Sequence, residues 1–442
     1  MKKNVEKLAL KDLPNIKTAL SLHKASKLNE AIKIYKDIIA IEKTNVNALH
    51  LLGLANYQLG NYKLAIKNFN KAIKYKNQFP EAYNNLGNVF KKLGNLEKSK
   101  KYYKNAINIK NDYFEAFYNL ANIYKEQSKH IEAIPYYKEA IKINKYFVEA
   151  YNNLALSYEE INQFNNAKSY YEKALTINPD DTAINYNFGK LLIKLKEKDQ
   201  AASYLFKVLE KKESKEKIPS ELALAHLGLI ELPTKTPPEY ILSLYKENIY
   251  NWTSLPKYYE RNITYKGHKL LINTISKSIN TKNLTTLDIG CGTGALGSYL
   301  RNFSNVLHGV DLSKEMLSEA KKTKLYDKLI EVDLEKYILN SKIKYDLVFA
   351  AAVFIHFSKL ELIFTSIMNI LNYQGRLAFT IFLDTGRNNF SLDSSGYFKH
   401  REDYIKAIIE KLEFKIICEN KGLHETRGKE KVYGAAYLIQ KN

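Results

Sequence analysis

The chain has 442 residues, 45% of them apolar, which is enough for two or three packed domains and excludes wholesale disorder. Its 68 Lys and Arg against 47 Asp and Glu give a formal net charge of +21. Two cysteines, Cys291 and Cys418, exclude a disulfide framework and a four-cysteine zinc site.

The start, Met1 to Lys7, is not followed by an apolar run, and no stretch of 18 apolar residues occurs. Neither a secretory signal nor a membrane span is expected, so the expected setting is cytoplasmic with no membrane partner. The positive charge raises a nucleic-acid reading. Almost all of it is lysine, however, and only six arginines occur: Arg261, Arg301, Arg376, Arg387, Arg401 and Arg427. Lys, Asn, Ile and Tyr are abundant together, a pattern of AT-rich coding, whereas base-edge and phosphate forks favour arginine. Of the excess, +14 falls on residues 1–235 and +7 on the rest. The expectation is a Lys-coated arm that reflects compositional drift or a mild preference for acidic partners, and a nucleic-acid partner is not expected.

After an N-terminal tail, residues 1–11, small residues recur every 34 positions at Ala19, Gly53, Gly87, Ala121, Ala155 and Gly189. Twelve residues after each stand Ala31, Ala65, Ser99, Ala133, Ala167 and Ala201. Sixteen after stand Tyr35, Phe69, Tyr103, Tyr137, Tyr171 and Leu205. Small residues let two helices approach closely, and aromatics fill the gap between one helix pair and the next. The pattern resembles the tetratricopeptide repeat, a helix–turn–helix unit of about 34 residues. That resemblance implies an all-α superhelical solenoid of six repeats over 12–215. The outer repeats depart most, with Ile38 and Val208 where a small residue is expected, as in units that cap a stack. Residues 216–232, with an amphipathic run Ser220–Leu232, are expected to seal the open end.

The resemblance also implies a concave face built from the first helix of each pair. Two residues before the small positions stand Asn85, Asn119, Asn153 and Asn187, while Lys17 and Leu51 do not continue the row. A carboxamide offers donor and acceptor together and can grip a peptide backbone. The row resembles the asparagine ladder of peptide-binding tetratricopeptide superhelices. The competing reading is that asparagine is common here and faces water.

Pro233, Pro237 and Pro238 then mark a linker, residues 233–239. From residue 284 onward short β-rich runs alternate with helical ones, which argues βαβ units. The run Thr286–Ile289 ends in Gly290-Cys291-Gly292-Thr293-Gly294, with Asp288 just before. This D-x-G-x-G-x-G spacing is tighter than that of pyrophosphate sites. Its glycines allow a ligand to lie against backbone at a helix start. A second strand, Val306–Asp311, ends in an acid that can accept from both ribose hydroxyls, and Ser313 is the expected N-cap of the next helix. A third strand over Leu329–Leu334 ends at Asp333. Further strands are expected at Tyr345–Ala351, Gly375–Thr380, Glu413–Glu419 and Val432–Ile439.

The series resembles the class I S-adenosylmethionine-dependent methyltransferases over residues 240–442, which implies a Rossmann-like α/β domain with a seven-stranded, mostly parallel sheet. By that resemblance Gly290, Cys291, Gly292 and Gly294 surround the methionine end of S-adenosylmethionine, and Asp288 orients its amino group. Asp311 holds the ribose, Leu312 and Met316 lie beside the adenine, Asp333 and Leu334 bind its edge, and Ala350 offers a carbonyl. Joined to the repeats, the domain resembles a group of bacterial tetratricopeptide-containing methyltransferases, into which Pro237–Tyr240 and Ser395–His400 also fit.

The cofactor carries the hard chemistry, so a base is optional. His356, read first as a packing or cofactor-contact residue, Tyr397 and His400 are the candidates, followed by Arg401, and His268 with Tyr265 is read either as part of a lid or as plain surface. Ala350-Ala351-Ala352-Val353-Phe354 stands where DNA-amino methyltransferases carry an Asn/Asp-Pro-Pro-aromatic turn, which disfavours base methylation. No nucleophilic role is assigned to Cys291, and no metal is implied. The leading expectation is a methyltransferase whose repeats recruit a protein or peptide. The alternatives are an interaction scaffold with a catalytically weak domain, a small-molecule enzyme that uses its repeats for assembly, and an RNA methyltransferase.

Overall fold

A computed structural model describes residues 15–244, 266–276, 278–279, 281–427 and 430–442. The expected tail 1–11 and Tyr265 lie outside the described residues. The chain divides into two compact units, Met1–Leu191 and Leu192–Asn442.

The first unit is a series of helix hairpins. They pair α1 (Ile16–Lys24) with α2 (Leu28–Ile41), α3 (Val46–Gln58) with α4 (Tyr62–Tyr75), and α5 (Pro80–Lys92) with α6 (Leu96–Ile109). Then follow α7 (Phe114–Glu126) with α8 (His130–Ile143), and α9 (Val148–Glu160) with α10 (Phe164–Ile177). A further helix, α11 (Thr182–Lys194), runs across the boundary. The turn of each of these five hairpins, and the turn after α11, holds one residue at positive φ: Ser26 (61°), Gly60 (77°), Gly94 (74°), Ser128 (57°), Asn162 (60°) and Lys196 (63°). A left-handed residue ends the first helix and satisfies its last carbonyls, as where Gly60 N–H donates to Tyr57 O at 3.0 Å. Only two of the six are glycine, so composition alone hides this period.

Within each hairpin the alanines and aromatics of the repeat are fully buried, including Ala65, Phe69, Tyr103 and Tyr137. In two hairpins the aromatic lies directly on the small residue: a Cβ on Gly87 would stand 2.4 Å from the Tyr103 ring, and one on Gly53 2.7 Å from Phe69. Tyr103 also packs on Leu120 and Ile123 of the next repeat, so the aromatics serve both contacts. Their hydroxyls are satisfied: Tyr103 donates to Asn88 Oδ1 at 2.7 Å and Tyr137 to Asn122 Oδ1 at 2.6 Å.

The second unit opens with α12 (Lys198–Leu209) and α13 (Lys217–His226). Leu222 and Ala225 of α13 are buried with Leu392 and Phe398 of the α/β part, and a His226 ring nitrogen lies 2.7 Å from Leu392 O. The proline-bearing run that follows is pinned down as a strap. Thr236 N–H donates to His356 O at 2.8 Å, Ser358 N–H donates to Thr234 O at 2.9 Å, and Lys235 bridges Phe357 in antiparallel fashion.

The strands are β1 (Leu284–Ile289), β2 (Ser304–Asp311), β3 (Lys328–Glu331), β4 (Tyr345–Ala350), β5 (Leu371–Leu383), β6 (Phe390–Leu392), β7 (Phe398–His400), β8 (Phe414–Arg427) and β9 (Glu430–Lys441). They form one sheet in which β3, β2, β1, β4 and β5 pair in parallel, while β9 joins β5 and β8 antiparallel. Among the described residues the sheet has nine strands and is mixed. This corrects the expectation of seven mostly parallel strands. The extra pair, β6 and β7, comes from the segment after β5 folding back as a hairpin, with β7 parallel to the end of β5. One face of the sheet buries Phe354, Phe364, Phe379 and Tyr437. The other buries Leu271, Ile275, Leu300 and Leu438, from α14 (Gly267–Ile275), α15 (Gly297–Arg301) and β9. Among the described residues no helix is long and apolar enough to cross a membrane.

The fit of Tyr103 over Gly87 yields a graded prediction. Gly87→Ala is expected to cost about 1 kcal/mol, because its methyl would stand 2.4 Å from the fully buried Tyr103 ring and better helix propensity offsets only part of that overpacking. Gly87→Val is expected to cost about 2 kcal/mol through overpacking. Urea unfolding followed by circular dichroism measures both, and equal stability of the two variants would contradict the packing described.

Candidate functional site

The chain leaves β1 through a turn that only glycine adopts without strain: Gly290, Gly292 and Gly294 have φ of 65°, 54° and 79°. Each has a different neighbour. A Cβ on Gly290 would strike Val353 at 2.7 Å, one on Gly294 would meet the Tyr326 ring at 3.0 Å, and one on Gly292 would enter open space. That open space is a cavity at the C-terminal ends of the first four strands, and Gly290, Cys291 and Gly292 form part of its wall.

Asp311 ends β2 in the same wall. Its Oδ2 accepts from Gly292 N–H at 2.9 Å and its Oδ1 from Ser313 N–H at 2.8 Å. Burial raises its pKa, and the backbone N–H groups of Ser313, Gly292 and Leu312 oppose that rise. Ser313 caps α16 (Lys314–Lys322) by accepting from Met316 N–H at 3.2 Å, which sets Leu312 and Met316 in the wall. Asp333 does not end a strand. It caps α17 (Leu334–Asn340), accepting from Lys336 N–H at 3.4 Å. It remains in the wall with Leu334, and Lys235 of the strap reaches it at 3.3 Å while also pairing with Glu335.

Asp288, Gly294 and Ala350 lie outside the wall. Asp288 is buried beneath the turn, where its Oδ2 accepts from Tyr326 OH at 2.7 Å. Burial foremost, with the charge of Asp311, lifts its carboxyl to about 7 against the pull of Tyr326. Gly294 gives room to Tyr326, whose ring also stands where side chains on Gly297 and Gly309 would be. Ala350 is fully buried in β4, and the wall begins one residue later with Ala351, Ala352 and Val353. The Cys291 thiol is pushed well above its usual range by burial and by both aspartates, so it stays a thiol.

His356 and Tyr397 line the cavity, their rings 5.5 Å apart. Burial lowers the His356 imidazole to about 4, and its Nδ1 has no hydrogen-bond partner among the described residues. Burial also raises the Tyr397 phenol. His268 is in the wall and is likewise lowered to about 4. His400 is the correction. It is fully buried away from the cavity, with Nε2 2.9 Å from Phe357 O and 3.2 Å from Ser358 O. It ties β7 to the loop after β4, because an apolar segment that folds back must satisfy those carbonyls. Arg401 also lies away, paired with Asp403 and donating to Arg387 O at 3.1 Å. Sequence reasoning missed Lys235, Thr236 and Glu425 in the wall. The first two sit among prolines that read as a spacer, and Glu425 stands far along the chain on β8 with no motif around it.

The asparagine row is used from repeat to repeat. The Nδ2 of Asn85 lies 2.9 Å from His50 Nε2, that of Asn119 3.0 Å from Asn84 Oδ1, that of Asn153 2.8 Å from Tyr118 OH, and that of Asn187 3.1 Å from Asn152 Oδ1. Each partner stands 35 residues earlier, so the donor half of each carboxamide links neighbouring first helices. Lys125 donates to Asn153 Oδ1 at 2.8 Å.

Comparison with known proteins agrees with both halves. A methyltransferase-domain family model matches residues 287–379, and tetratricopeptide-repeat models match 56–94, 78–145 and 148–181. The chain is 35% identical over 107 residues to malonyl-[acyl-carrier protein] O-methyltransferase 1 of Ilyobacter polytropus, covering 23% of this chain and 39% of that protein. It is 34% identical over 116 residues to malonyl-[acyl-carrier protein] O-methyltransferase of Priestia megaterium, covering 25% and 42%. The chain therefore spans about two-fifths of the length of the curated relatives it matches. Among solved structures, MamA aligns at 26% identity with a TM-score of 0.34, over 36% of this chain and 94% of that one.

The raised carboxyl of Asp288 sets a pH dependence. The unfolded chain releases this proton near pH 4, whereas the folded chain holds it to about 7. Stability from this group is therefore full below about pH 4 and falls as pH rises towards 7. Asp288→Asn keeps an acceptor for Tyr326 without the titration. Urea midpoints at pH 5 and pH 7 should drop less in the variant than in the parent, and identical drops would contradict this assignment.

Proposed function

We propose that this chain, which joins tetratricopeptide repeats to a methyltransferase domain, transfers a methyl group from S-adenosylmethionine to a protein or peptide that its repeats recruit. The observation that carries the reading is the meeting of the positive-φ glycine turn and the Asp311 carboxylate in one cavity wall. The residues present fit the cofactor. Gly292 leaves open space where any other residue would put a side chain, and the Asp311 carboxylate keeps lone pairs beyond its two backbone donors.

In this reading Asp311 takes the two ribose hydroxyls. Leu312, Met316 and Leu334 flank the adenine, and Asp333 accepts from its amino group in place of Lys235. Asp288, below the turn, compensates the charge of the methionine amino group, which draws its carboxyl back towards the ionised form. When bound, the cofactor supplies an electrophilic methyl on a sulfonium. The protein's part is to hold the acceptor in line and to keep water away, which the apolar wall of Ala351, Val353, Ile355 and Phe357 favours. His356 and His268, held neutral by burial, orient rather than carry charge.

Tetratricopeptide repeats are protein-interaction modules, and their side of this chain carries most of the lysine excess. That supports a protein partner with acidic character. The names of the relatives favour a second reading, O-methylation of a group carried on a carrier protein, which likewise supplies a protein for the repeats to hold.

Titration calorimetry of the full chain with S-adenosylmethionine tests the proposal. Saturable binding is expected, and Asp311→Ala should weaken it about 100-fold, the effect of losing a charge-assisted hydrogen-bonding pair. Binding that survives this substitution unchanged would overturn the placement of the ribose.

A further inference from the structure

The cavity has a second half with a charge character of its own. Beyond β4, away from β1, β2 and β3, the sheet continues through β5 and β9 to β8. Glu425, opposite Val432 in the β8–β9 pair, and Tyr397, just before β7, join the wall on that side. Among the described residues the charged members of the wall are Asp311, Asp333, Glu425 and Lys235. Lys235 stands at the opposite end, paired with Asp333 and Glu335.

A cation does approach Glu425, though it is not itself part of the wall. Arg427 pairs its Nε with Glu425, and its Nη1 meets Asp393 Oδ2 at 2.7 Å. Its guanidinium lies 4.9 Å from the Tyr397 ring centroid and 5.2 Å from that of Phe382. Two carboxylates against one guanidinium leave this corner net negative. Arg427 thus fixes the Glu425 side chain without itself lining the cavity. The neighbouring imidazoles of His268 and His356, both lowered to about 4 by burial, add no charge either.

We infer that Glu425 selects the methyl acceptor and that this acceptor is a primary amine rather than a carboxylate. The inference rests on the S-adenosylmethionine reading above. A carboxylate entering this half would face Glu425, with Asp393 beyond its Arg427 partner and, among the described residues, no cation in the wall on this side, and like charges interact strongly out of bulk water. An ammonium group instead gains a charge-assisted hydrogen bond. The amine must lose one proton before its lone pair is free, and the Glu425 carboxylate accepts it and passes it to solvent. The nitrogen then forms the N–C bond as the C–S pair returns to sulfur, so that charge and protons balance. Tyr397, kept protonated by burial and by the charge of Glu425, can only donate to or pack against the acceptor.

The test uses the full chain with tritiated-methyl S-adenosylmethionine and three probes: n-butylamine, Nα-acetyl-lysine methylamide and butyrate. Label is expected in the amines and not in butyrate. Preference for the lysine derivative points to a protein side chain, and preference for butylamine to a free amine. Glu425→Gln should lower amine turnover at least tenfold while leaving calorimetric cofactor affinity within twofold, which also shows that the variant is folded. Glu425→Asp should retain more turnover than Glu425→Gln. Preferential labelling of butyrate, no amine-dependent turnover, or full amine turnover by Glu425→Gln overturns the inference. Failure of the parent chain to bind S-adenosylmethionine overturns instead the reading on which it rests, and the inference with it.

Discussion

Two backbone N–H groups, from Gly292 and Ser313, close on the carboxylate of Asp311 at 2.9 and 2.8 Å, and the half of the cavity over the glycine turn depends on that closure. One bond ties the turn after β1 to the end of β2. The other starts α16 and so places Met316. The turn can reach Asp311 only because Gly290 and Gly292 take positive φ. Behind it the sheet ends are filled by Tyr326, which occupies the room left by Gly294, Gly297 and Gly309 and reaches down to Asp288. Two carboxylates are thereby held in a largely buried place, and the rise in both pKa values is the cost of that arrangement. A bound cation would reduce this cost, which is a physical reason for the site to welcome a sulfonium and an ammonium.

The second unit is more than an α/β domain with a spacer in front. Helix α13 buries Leu222 and Ala225 against the β6–β7 hairpin, and the strap that follows hydrogen-bonds along the loop after β4. Lys235, Thr236, Pro238 and Ile241 thus contribute to the wall from the N-terminal side. The strap touches both ends of the cavity, through Lys235 on Asp333 and through Thr236 on His356. Whatever orders α13 therefore bears directly on the strap and on the mouth of the site.

Features with local causes could be read in the sequence. The period of 34 showed because small and aromatic residues must alternate wherever one helix packs on its partner, and Ala65, Phe69, Tyr103 and Tyr137 are fully buried as that pattern requires. The glycine turn and the acid at the end of β2 were legible because positive φ and a strand-end carboxylate restrict residue type. What escaped depends on tertiary placement. Asp333 reads as a strand end but caps a helix, since strand and cap differ there by two residues. His400 sits in a motif-like stretch, yet it serves two backbone carbonyls inside the fold. The row of asparagines showed its register but not its bonding, because their partners lie one repeat back. Glu425 enters the wall only because β8 pairs with β9, a long-range register that no short window contains.

The central claim is that the cavity over the glycine turn is where S-adenosylmethionine sits. The most direct measurement is a crystal structure of the full chain grown with S-adenosylhomocysteine. The account predicts the ribose hydroxyls on Asp311, the adenine beside Met316 and Leu334, and the sulfur turned towards the side of Tyr397 and Glu425. Density for the nucleoside elsewhere, or a cavity left empty at saturating ligand, would contradict it.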